Sequence, residues 1–277
     1  MEWWLWPLAL FAVTFLMGIV AVLAGVGGGV LFVPIVGAFF PFHLDFVRAG
    51  GLLIALTSAL TAAPSLLRSG LASLRLAMPL ALVGSITSIL GAWIGLALPT
   101  DVVQIALGII ILGIALIMWR AGRSEHPEVP RPDPLGAALG MHGVYRDLGR
   151  EVQWRVHRTP AAFFVFGVIG LLAGMFGLGA GWANVPAFNL LMGAPLKLSV
   201  GTSGLLLSVV DTSAAWIYLN RGAVLPMIVV PSLLGVMLGA RVGARLLRVT
   251  PAATVKRIVL AVLLVAGARS LLKGLGI

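Results

Sequence analysis

A run of glycines cuts one apolar region of this chain, and a matching run cuts a second. The first reads Gly25-Val26-Gly27-Gly28-Gly29-Val30-Leu31-Phe32-Val33-Pro34, and the second reads Gly177-Leu178-Gly179-Ala180-Gly181-Trp182-Ala183-Asn184-Val185-Pro186. The first glycine and the proline both return 152 positions later (25 to 177, 34 to 186), so two halves of the chain carry one element. Glycine is poorly suited to a helix interior because it loses the most backbone freedom on folding. Two such runs at one spacing, each inside a strongly apolar region, read as deliberate helix breaks.

The surroundings place these breaks in a membrane. Of 277 residues, 60% are hydrophobic and 10% charged, against about 25% charged in an average soluble domain. The apolar runs are continuous rather than alternating, which predicts an all-α polytopic protein and not a barrel. The net charge of +10 does not point to nucleic acid, because the basic residues sit at the ends of apolar runs without interleaved aromatics. The absence of cysteine excludes disulfides, thiolate metal sites and cysteine nucleophiles. The first segment follows only Glu2 and reads as a retained span, with Trp3, Trp4 and Trp6 at the interface.

Taken in order, residues 1–119 form a first membrane repeat, 120–160 a polar segment and 161–277 a second membrane repeat. Each repeat holds about five helices, the second of them short. The apolar stretch from Val30 to Phe40 covers only about half of a ~30 Å hydrocarbon core, so it reads as a half-helix. The polar segment carries seven arginines and four closely spaced prolines. In it Val152, Trp154 and Val156 alternate with polar residues after a turn at Asp147-Leu148-Gly149, the pattern of a small β-hairpin. Charge bias puts this segment in the cytoplasm. Five crossings per repeat then invert one half relative to the other and leave both termini outside, with Arg48 and Arg221 as exceptions to the bias.

Helix breaks at matching positions in inverted repeats point to a secondary transporter. A half-helix starting near mid-membrane presents unpaired N–H groups and the positive end of its dipole, which suits an anion. The predicted substrate site is therefore Gly25, Gly27, Gly28, Gly29 and Pro34 from the first copy, with Gly177, Gly179, Gly181, Asn184 and Pro186 from the second. Gly201-Thr202-Ser203, opening the next segment, adds neutral donors. Asp211 is the one acid well inside a span and is the proton-coupling candidate; Arg241 is its nearest conceivable partner by sequence. His43, His126, His142 and His157 lack metal-ligand spacing, and no catalytic set or cofactor motif emerges.

These residues resemble the TauE/SafE family of sulfite exporters. The resemblance rests on the glycine run ending in Val33-Pro34, its copy ending in Val185-Pro186, Gly201-Thr202-Ser203, and the pairs Gly91-Ala92 and Gly239-Ala240. It implies transport of a small sulfur-containing anion (sulfite, thiosulfate or an organosulfonate) across the bacterial inner membrane. It leaves homodimerisation open. The first half departs from symmetry, with Ala49-Gly50-Gly51 where the second has Gly-Thr-Ser. Two other readings fit the sequence: an anion channel, and a membrane scaffold or sensor acting through the polar segment.

Overall fold

A computed structural model describes residues 4–24, 28–68, 70–120, 129, 133–147, 150–179, 181–246 and 252–276. Its elements are α1 (Leu5–Ala24), α2 (Gly28–Phe39), α3 (Leu44–Arg68), α4 (Leu74–Ala97) and α5 (Thr100–Arg120) in the first half. A short helix α6 (Pro134–Ala138) and strands β1 (Gly143–Asp147) and β2 (Arg150–Trp154) follow. The second half holds α7 (Thr159–Phe176), α8 (Gly181–Pro186), a π-helical segment Ala187–Leu191, α9 (Leu196–Asn220), α10 (Pro226–Leu246) and α11 (Ala252–Gly274). Among the described residues, five helices are long and apolar enough to cross a membrane: α3, α4, α7, α9 and α10. Shorter apolar stretches lie in α1, α2 and α5. The protein is an all-α membrane protein.

Burial runs the way a bilayer demands. Large apolar side chains face outward, with Phe164 75% and Leu82 66% exposed, while Asp211, Asn184 and Thr202 are fully buried. Hydrocarbon solvates the first group at no cost and would penalise the second, so the polar groups collect inside.

Helix pairing swaps between the halves. α1 packs along α10, and α4 packs along α7; α3 lies against α9 and α5 against α11. The close approaches correspond residue by residue. Gly18 of α1 faces the Val236 carbonyl of α10, and Gly170 of α7 faces the Gly84 carbonyl of α4, the same pair displaced by 152 positions in each direction. A side chain at either glycine would push into the facing backbone, so small residues set the helix spacing. Gly91 against the Leu171 carbonyl and Gly239 against the Phe15 carbonyl do the same.

The polar segment folds onto the second half. β1 and β2 pair antiparallel with Gly143 opposite Trp154; Leu148 and Gly149 of the expected turn lie outside the described residues, as does His126. Asp133 caps α6 by accepting from the Leu135 N–H at 2.9 Å, and its other oxygen accepts from the Thr159 N–H at 2.6 Å. One carboxylate thus ties the segment to the first turn of α7. Partial desolvation works to raise the Asp133 pKa, but the hydrogen bonds from Leu135 and Thr159 outweigh it and hold the carboxyl below its usual range. Met141, Trp154 and Val156 are buried in one cluster with Phe188 and Met192, and the His157 N–H donates to the Met192 carbonyl at 3.1 Å. The segment therefore grips the chain where the π-helical stretch ends.

Candidate functional site

The two glycine breaks meet. A Cβ on Gly29 would stand 2.8 Å from the Leu178 carbonyl oxygen, 2.7 Å from that of Gly51 and 3.1 Å from Cβ of Ala55. A Cβ on Gly179 would stand 2.8 Å from the same Ala55 methyl, 3.2 Å from Oδ2 of Asp211 and 3.5 Å from Leu207. Ala55 lies close to the middle of α3, a helix of 25 residues, so the meeting point is deep in the bundle. These distances leave no room for side chains, and that is why glycine occupies both positions.

Local conformation explains the second break in detail. Gly177 closes α7 in the left-handed region at φ 67° and returns its N–H to the Ala173 carbonyl, while Gly179 also has φ +67°. Two left-handed residues within three positions turn the chain sharply, which only glycine does without strain. Helix then resumes at Gly181. Pro186 ends α8, and the five π-helical residues that follow carry the chain to Leu191. In the first break Gly28 and Gly29 open α2 and are buried, as is Pro34 within it; Gly25 and Gly27 lie outside the described residues.

One carboxylate stands at this junction, with Asp211 Oδ2 beside Gly179. Asp211 and Asn184 are both fully buried. Neither carboxylate oxygen of Asp211, and neither amide atom of Asn184, has a hydrogen-bond partner among the described residues. Arg241 is exposed and gives Asp211 no partner. Gly201 and Thr202 are engaged elsewhere: Gly201 packs on the Leu71 carbonyl, and the Thr202 hydroxyl accepts from the Ser73 N–H at 3.1 Å. Both face the turn between α3 and α4, about 15 Å along α9 from Asp211 at 1.5 Å per residue. Ser203 is buried one residue further on.

Three cations that the sequence did not single out for the site hold the carbonyl ends of the helices around it. Arg48 is 1% exposed. Its Nη1 donates to the carbonyls of Gly95 at 3.0 Å and Met175 at 2.9 Å, and its Nη2 pairs with Asp45. The Tyr218 hydroxyl donates to the neighbouring Gly174 carbonyl at 2.9 Å. Arg269 Nε donates to the Ala38 carbonyl and Lys273 Nζ to the Gly37 carbonyl, each at 2.9 Å. Cations at helix C-termini neutralise the negative end of the dipole and pair its orphan carbonyls. Here they fix α7 just before its break and fix α2 at the end opposite its break. The available signal was charge bias, since Arg48 already stood out as a cation on the wrong side.

Among the described residues no three His, Cys, Asp or Glu side chains are placed to hold a metal ion. No solved structure gives a significant match to the chain. A curated relative, "Probable membrane transporter protein YunE" of Bacillus subtilis (strain 168), is 23% identical over 189 residues, which is 68% of this chain and 66% of that protein. The match thus spans just under two thirds of the relative's length. The family described as "Sulfite exporter TauE/SafE" matches residues 10–270, a range that takes in both breaks and all the long helices. This chain belongs to the TauE/SafE sulfite exporter family.

Proposed function

We propose that the protein is a secondary transporter of a small sulfur-containing anion, either sulfite or a thiosulfate or organosulfonate, across the bacterial inner membrane. The observation that carries this reading is the apposition of the two breaks at Gly29 and Leu178. The anion would sit at the start of α2, whose first N–H groups have no partner within the helix, facing the Gly177 to Gly181 turn. The Asn184 amide in α8 is buried without a partner and would donate to an oxyanion oxygen. Arg269 and Lys273 would keep α2 aimed at the site, and Gly201, Thr202 and Ser203 would lie along the approach from the α3–α4 turn.

The swapped pairing of α1 with α10 and of α4 with α7 supports two repeats related by inversion, with boundaries near residues 119 and 161. Rocking of one repeat against the other would expose the junction to each side in turn. In this reading the polar segment is cytoplasmic and both termini lie outside, and Asp211 is the proton-coupling residue. The test is uptake of labelled sulfite by proteoliposomes, competed with thiosulfate and an alkanesulfonate, beside a bilayer conductance recording. Saturable uptake competed by one of these anions is expected. Unitary currents far above carrier turnover would replace the carrier with a channel, and a lack of flux for all three anions would defeat the substrate assignment.

A further inference from the structure

We propose that Asp211 takes up one monovalent cation whenever the anion binds, so that the two ions cross together. This rests on the anion reading above and adds an order and a stoichiometry to it.

The argument begins with what surrounds Asp211. It is fully buried, both oxygens lack partners among the described residues, and Oδ2 stands beside Gly179 in the second break. The elements packed on α9 are α3, α4, α7, α8 and the π-helical segment. The described residues of α7, α8 and the π-helical segment hold no charged side chain. On α3, Arg48 is committed to Asp45 and to two helix carbonyls, and it lies seven residues, or about 10 Å, up the helix from Ala55. Arg68 on α3 and Arg75 on α4 lie near the opposite ends of those helices, and Lys197 is about 21 Å along α9 from Asp211. Among the described residues no cation neutralises this carboxylate.

A lone ionised carboxylate in such a setting is strongly disfavoured. An anion arriving at the same break would make it worse by adding a second negative charge in a low dielectric. The junction therefore accepts its anion only when Asp211 carries a positive partner. By linkage the cation raises the affinity for the anion by the factor that the anion raises the affinity for the cation. A buried carboxylate is neutralised by sodium or by a proton. The two sources share one chemistry, charge neutralisation of Asp211.

The experiment uses the full chain in proteoliposomes. Sulfite accumulation is measured under an inward sodium gradient at equal pH, and under an inward proton gradient with choline replacing sodium. One gradient is expected to drive accumulation against the sulfite gradient, with one cation entering per anion. Asp211→Asn, which keeps shape and removes charge, should lose at least tenfold in gradient-driven accumulation of sulfite and respond to neither gradient. Accumulation that ignores both gradients, or Asp211→Asn with the wild-type response, overturns the proposal.

If the wild type moves none of the tested anions, thermal unfolding of the purified protein decides the cation site separately. Sodium or acidification should raise the melting temperature of the wild type and not of Asp211→Asn. A melting temperature indifferent to both cations in the wild type overturns the site whatever the anion.

Discussion

Gly29 and the Leu178 carbonyl, from opposite halves of the sequence, come so close that a single Cβ on Gly29 would stand 2.8 Å from that oxygen. The backbones of the two breaks are therefore in contact, with Ala55 of α3 touching both. Gly29→Ala should push α2 away from the second break, since the atom it meets is backbone and has no rotamer to give. The expected results are a lowered melting temperature and a loss of anion affinity of tenfold or more. Gly113, whose Cβ would meet nothing within 4 Å, is the control: Gly113→Ala should leave both unchanged.

Arg48 is the buried cation that closes α7, and truncating it would strand the Gly95 carbonyl and leave Met175 only the Tyr218 hydroxyl at 3.3 Å and Asp45 only His43 at 3.4 Å. Arg48→Ala is expected to destabilise the fold by about 3 kcal/mol, the lower end for breaking a buried pair because Asp45 is partly exposed. Arg48→Lys should recover only part of this, since one guanidinium reaches two carbonyls and a carboxylate at once where an ammonium presents a point charge. Detergent thermal unfolding of the three proteins checks the order wild type, lysine variant, alanine variant.

Arg269 and Lys273 act on α2 from its carbonyl end. Each contact to a helix C-terminus is worth about 0.3–1 kcal/mol by dipole alone, too little to unfold the bundle. The double substitution Arg269→Gln with Lys273→Gln should therefore raise the transport KM severalfold while the melting temperature moves little. An equal loss of maximal rate with unchanged KM would mean that these residues do not position the binding end of α2.

Asp133 gives the polar segment a pH dependence. Its pKa is lowered in the folded protein, so its contribution is fully present above the ordinary carboxylate value and is lost as pH falls through the lower, folded one. The attachment of α6 to α7 should hold from neutral pH down to below pH ~4 and release below that. Hydrogen exchange at the Leu135 and Thr159 amides reports it; at neutral pH Asp133→Asn, with one acceptor oxygen in place of two, should release one of the amides, and Asp133→Ala both.

How much of this was legible depended on the range of the interaction. The glycines of the breaks could be read because left-handed turns and close backbone approach need glycine wherever the chain ends up, and Asp211 stood out because acids are rare in apolar spans. The all-α membrane architecture followed from the continuous apolar runs. By contrast, Arg269 reaches Ala38 across 231 positions, and nothing local in α11 announces that partner. Thr202 was read with the substrate site on its hydroxyl alone, and packing supplied the Ser73 N–H to that hydroxyl. The π-helical turn after Pro186 was also hidden, because proline marks where regular hydrogen bonding fails without saying what replaces it.

The central claim is that the apposed breaks bind the anion, and the direct test is labelled-sulfite uptake by proteoliposomes holding either the wild type or Gly179→Leu, with folding verified for both. A leucine at this left-handed position would drive its Cβ to 2.8 Å from the Ala55 methyl and 3.2 Å from Asp211 and so push the second break off its partners. Saturable uptake in the wild type that disappears in the variant is the predicted result. A folded Gly179→Leu protein that takes up sulfite with wild-type affinity would contradict the account.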